Sequence, residues 1–159
     1  MRNGLIGLLA VMGLAFAPAA HAASRVVNID KAQATVPLGA IAQGGEVLVR
    51  GLAVAGKNVV NTVAFQPGAN RIRVNTSWVV GEPDAPFRLV GVNVDLLDNG
   101  GIIVVSDTFQ GIVAGTATST LVAENLVPGT RYGIRLSGTA VGRGSFTMAI
   151  RPGVPTPPT

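Results

Sequence analysis

The chain contains no cysteine and one histidine, His21, in 159 residues. Without cysteine there is no disulfide, no thiolate nucleophile and no lipid-bearing cysteine. The histidine lies in a leader-like segment. Arg2 supplies a positive start, Leu5 to Phe16 (LIGLLAVMGLAF) is an apolar run, Pro18 breaks it, and Ala20-His21-Ala22 is a small-x-small cleavage site. The run is too short to span a bilayer and reads as a secretory signal peptide. Cleavage after Ala22 removes 22 of 159 residues and leaves 137, with neither His nor Cys. That excludes Ser-His-Asp and Cys-His nucleophile systems and nearly all zinc and copper sites. The expected location is the periplasm or the outside of the cell, with no integral membrane segment once the signal is removed. A domain exported there without disulfides is held by its core alone.

Aromatic and charged residues are also scarce, at 4% and 13% of the chain, so aliphatic side chains must fill the core. With Arg2 removed, 11 basic residues face 8 acidic ones, a net charge of +3, and only Lys31 and Lys57 of the basic set are not Arg. There is no basic run and no aromatic interleaving, so nucleic acid is not an expected partner.

No window beyond the leader has helical periodicity. Glu46 to Leu52, Val59 to Phe65, Arg71 to Trp78, Phe87 to Leu97, Ile102 to Val105, Thr116 to Ala123, and the two arms of Glu124 to Arg151 instead read as strands. Gln66-Pro67-Gly68 and Pro128-Gly129 are Pro-Gly turns, and Asp98-Asn99-Gly100-Gly101 is a hairpin signal. Phe65-Gln66-Pro67-Gly68 before Arg71 to Val74 echoes Leu126-Val127-Pro128-Gly129 before Arg131 to Leu136, as related corners of one sandwich do. The expected fold is all-β, a single antiparallel β-sandwich of jelly-roll or immunoglobulin type with about eight strands. Its organisation is a cleaved signal (1–22), an N-terminal strand and loop (23–43), the sandwich (44–151) and a Pro-rich extended tail (152–159). Gly111 to Gly115 reads as flexible, and Pro152 onward as unable to join a ladder.

Over residues 44 to 150 the order of pieces resembles the bacterial pre-peptidase C-terminal domain. The matching segments are Gly45 to Gly51, Val63 to Gly68 leading into Ile72-Arg73-Val74, Val94 to Gly100, Gly129-Thr130-Arg131-Tyr132, and Gly144-Ser145-Phe146-Thr147. The resemblance implies a small secreted β-sandwich of a kind that usually follows a peptidase domain. The closing segment, with Val154-Pro155-Thr156-Pro157, is similar to exported proteins of the PEP-CTERM type, without their C-terminal helix and arginine cluster.

Three residue sets are candidate sites. Asn93, Asp95, Asp98 and Asp107 form an oxygen-rich set of the kind calcium takes, and read otherwise as hairpin turn chemistry and solvated edges. Arg71 with Arg73, and Arg131 with Arg135, would make an anion-binding patch if their strands share a sheet; the alternative is the wet face of a sheet. Trp78, followed by Glu82 and Asp84, could stack on a sugar whose hydroxyls the carboxylates accept, or could end a strand inside the core. Glu82 and Asp84 on one short loop do not make a glycosidase pair. These residues predict a non-enzymatic exported protein without a required cofactor. Its role is structural, in assembly or in adhesion at the envelope, with itself or other envelope proteins as partners. The alternative is a module that binds carbohydrate or another extracellular ligand.

Overall fold

The computed structural model describes residues 24–53, 58–80, 87–142 and 144–153. They form eleven strands and no helix: β1 (Ser24–Ile29), β2 (Gln33–Ile41), β3 (Glu46–Ala53), β4 (Asn58–Pro67), β5 (Ile72–Val79), β6 (Phe87–Leu97), β7 (Ile103–Ser106), β8 (Thr108–Val113), β9 (Thr116–Ala123), β10 (Tyr132–Gly142) and β11 (Gly144–Pro152). Two sheets pack face to face. One runs β1-β3-β11-β5-β9-β8 and the other β2-β4-β10-β6-β7.

Period-2 alternation decides the faces. In β5, Ile72, Val74, Thr76 and Trp78 point inward while Arg73, Asn75 and Ser77 point out. In β10, Ile134 and Leu136 are fully buried beside the half-exposed Arg135 and Ser137. Inward residues of both sheets meet in one core built on Val49, Val63, Phe65, Val74, Leu96 and Met148, with few aromatics among many aliphatics. The two echoed corners touch. Gly129 N donates to Pro67 O at 3.0 Å, Phe65 and Tyr132 are register partners, and their rings lie 6.4 Å apart. The buried Tyr132 hydroxyl accepts a hydrogen bond from Val127 N at 3.0 Å, which satisfies its polar end.

Three expectations are corrected. The N-terminal strand expected before residue 43 is β1, but the residues after it, expected to be loop, form β2; β1 and β2 pair in parallel with β3 and β4, and the remaining pairs are antiparallel. Pro37 and Gly39 disguised β2. An edge strand tolerates a proline, and Gly39 at φ +73° takes up the register shift that follows it. Residues 111–113, expected to be flexible, continue β8, so the strand count rises from about eight to eleven. Pro152 closes β11 opposite Ile72. Its carbonyl accepts from Gly44 N at 3.0 Å, for which no proline donor is needed.

Candidate functional site

Trp78 is only 5% exposed. Alternation turns it inward with Ile72 and Val74, Phe146 is its register partner on β11, and the Phe109 ring centroid is 6.1 Å away. A ring enclosed in this way presents no open face to a sugar, so Trp78 is a core residue. Glu82 and Asp84, its expected companions, lie outside the described residues.

The four arginines divide between two sheets. Arg71 and Arg73 belong to the β5 region of the six-stranded sheet, and Arg131 and Arg135 to the β10 region of the other. The shared-sheet condition for one patch is therefore not met. Arg71 lies 3.4 Å from the Glu124 carboxylate, and Arg135 is 3.2 Å from Asp95. Arg131 borders a small depression of about 150 Å³ with Pro37, Phe65 and Gln66. On the sheet that carries Arg73, Arg151 is paired with Glu46 at 2.5 Å.

The oxygen-rich set is dispersed among local tasks. Asp95 sits between β10 and β7 and accepts from Arg135 through Oδ2 and from Ser106 Oγ through Oδ1, at 2.6 Å. This row crosses three strands, with Arg135, Asp95 and Ser106 in register. Asp98 Oδ1 accepts from Gly100 N at 2.8 Å and Ile102 N at 2.9 Å, closing the β6–β7 hairpin. Asp107 Oδ1 accepts from Val94 N at 3.1 Å while Asp107 N donates to Val94 O at 2.9 Å. That two-way clamp holds the point where the chain leaves one sheet for the other. Asn93 is exposed on β6. Among the described residues no three acidic groups converge on a metal-sized site. Asp98→Ala removes the acceptor for two amides and should lower the unfolding free energy by about 1–2 kcal/mol in urea titration. An unchanged midpoint would refute that role.

Two surface features remain that single-residue reading did not find. The first is a shallow groove of about 380 Å³ on the six-stranded sheet, lined among others by Asn75, Ser77, Gln110, Thr118, Thr120 and Thr147, with no charged residue. Within it Thr120 Oγ1 donates to Asn75 Oδ1 at 3.2 Å. The second is an apolar margin. β7 and β8 are the last strands of their respective sheets, separated by Asp107 alone. Ile102, Ile103, Val104, Phe109, Ile112 and Val113 along this margin are between 48 and 79% exposed. Asp107 is the only charged residue from 99 to 123. That sparse charge was the available sequence signal.

No family model matches the chain. No curated protein matches it either. Among solved structures, the chain is similar to the pre-peptidase C-terminal domain of collagenase from Bacillus anthracis, with TM-score 0.46 and 13% identity, covering 75% of this chain and 96% of that one. It is also similar to PliG from Aeromonas hydrophila, a periplasmic lysozyme inhibitor of g-type lysozyme, with TM-score 0.43 and 10% identity, covering 76% and 97% respectively. Likenesses this remote carry no argument about what the protein binds.

Proposed function

We propose that the protein is a non-catalytic exported β-sandwich with a structural, assembly or adhesion role at the cell envelope or outside the cell. The observation that carries this reading is the β7–β8 margin. Six large apolar side chains are exposed along one side of the sandwich, where exposed apolar surface of this extent marks contact with another macromolecule. The leader-like segment at residues 1–22 supports export. The polar groups support a role outside catalysis. The close Ser106–Asp95 pair is tied to Arg135 and lies across a strand ladder, not in a cleft. Fractionation of cells exporting the protein tests this reading. The wild type should be retained with the envelope or in extracellular assemblies, and Val113→Lys should release it as soluble protein. Equal release of both would refute a contact role for the margin.

A second reading is a binding module for neutral carbohydrate, favoured by the uncharged amide- and hydroxyl-lined groove. Asn75, Gln110, Thr118 and Thr147 supply donors and acceptors suited to sugar hydroxyls. On a glycan array, binding should fall at least tenfold in the Asn75→Ala, Gln110→Ala double variant and stay unchanged in Arg73→Ala. No retained glycan, or equal binding by all three proteins, would eliminate it.

A further inference from the structure

The two lateral sides of the sandwich are built differently. On the β1–β2 side, the Arg25 guanidinium donates to the Leu38 carbonyl and ties one sheet to the other. Pro37 removes a donor there, and Lys31 stands between the two strands. Proteins use these devices to keep an edge strand from pairing with a neighbour. The β7–β8 side has no Lys, Arg or Pro from residue 99 to residue 123. Its single charge, Asp107, is half-buried and engaged with Val94 N.

We propose, resting on the contact role assigned to this margin, that its occupant is a second copy of the same chain. The two copies pair β8 to β8 in antiparallel fashion about a two-fold axis. Three observations favour a second copy over an unlike partner. First, the margin's single charge, Asp107, is half-buried and bonded to Val94 N, and the two-fold axis sets it opposite Ala114 of the second copy. Two copies therefore meet without like-charge repulsion, and the margin offers no charge pattern for an unlike partner to complement. Second, six large apolar side chains, each at least 48% exposed, crowd the two strands that end their sheets, and a second copy laid along β8 would cover those on that strand. Third, β8 matches itself. Phe109 and Ile112 pair with Ser119 and Ala117 on the inward side of β9, whereas Thr108 and Val113 pair with the outward Thr120 and Thr116. An axis between Gln110 and Gly111 sets Phe109 against Ile112 of the second copy and Thr108 against its Val113. Inward faces inward and outward faces outward, as a shared sheet requires. The bulge between Phe109 and Gly111 lies at the axis, so the side chains flanking it carry most of the contact. The six-stranded sheet then continues across the axis into its copy.

The chain's lack of cysteine makes this arrangement directly measurable. The exported full chain should sediment as a dimer at tens of micromolar. Ile112→Lys should raise the dissociation constant at least tenfold. Val127→Lys, at an exposed apolar position between β9 and β10, should leave it unchanged, with circular dichroism reporting the fold of each. Under mild oxidation Gln110→Cys should cross-link to a covalent dimer and Val127→Cys should not. A wild type that is monomeric at about 1 mM, or a dimer indifferent to Ile112→Lys, would overturn the self-pairing. Envelope retention separates this failure from that of the contact role. A monomer whose Ile112→Lys variant loses retention overturns self-pairing while preserving the contact role. A monomer whose variant is retained like the wild type overturns both.

Discussion

Replacing Gly51 with alanine should lower the unfolding free energy by about 2–4 kcal/mol, a drop of roughly 6–15 °C in melting temperature for a domain of this size. Gly51 lies on β3 directly opposite Phe146 of β11. The Phe146 ring occupies the space a side chain would take. A Cβ on Gly51 would stand 2.8 Å from Phe146 Cδ2 and closer still to Cε2 and Cζ. Phe146 is buried, with Trp78 as its register partner on the opposite flank, so the ring cannot swing to solvent to relieve the clash. Aromatic cover over a strand glycine of this kind also compensates for the side chain the glycine lacks. The additional variant Phe146→Leu should recover part of the loss, because a smaller neighbour leaves room for the new methyl group. Thermal unfolding of the two variants checks both statements. A loss below about 0.5 kcal/mol in Gly51→Ala would overturn the first.

The opposite sign is expected at Asn61. It lies on β4 between Val59 and Val63, is fully buried, and among the described residues neither its amide nitrogen nor its carbonyl oxygen has a hydrogen-bond partner. Its register partners are Leu136 and Ala34, so its surroundings are apolar. An amide withdrawn from water without compensation costs a few kcal/mol. Asn61→Val keeps a similar size, adds a β-branched side chain suited to a strand, and should raise stability by about 1–3 kcal/mol. Urea titration with an unchanged slope is the measurement. A loss of stability would mean that the amide is bonded through internal water and would overturn the expectation.

The places where sequence and structure agree share a physical origin. The inward set on β5, the Tyr132–Ile134–Leu136 face of β10 and the Phe146–Met148–Ile150 face of β11 all follow from period-2 alternation, a local property of strands. The Asp98 hairpin is equally local, since the carboxylate reaches amides two and four residues ahead. β2 escaped because Pro37 and Gly39 look like loop residues unless the strand is known to lie at an edge. The apolar margin escaped for the same reason. A run such as Ile102 to Val105 reads as a buried strand by composition, and only strand order places it where no neighbour covers it.

By itself, then, the sequence determined a Cys-free all-β sandwich, the position of its corners and the inward face of most strands. All of these depend on residues within a few positions of one another. Tertiary structure alone decided that the arginines at 71 and 73 lie on a different sheet from those at 131 and 135, that Trp78 is covered by Phe109 and Phe146, and that Asp95, Asp98 and Asp107 serve three separate hydrogen-bonded sites. It also decided which edge is closed by Arg25 and which is left open at β8. These outcomes depend on which strands become neighbours, and pairing between strands distant in the chain is set by packing of the whole core, which local periodicity does not encode.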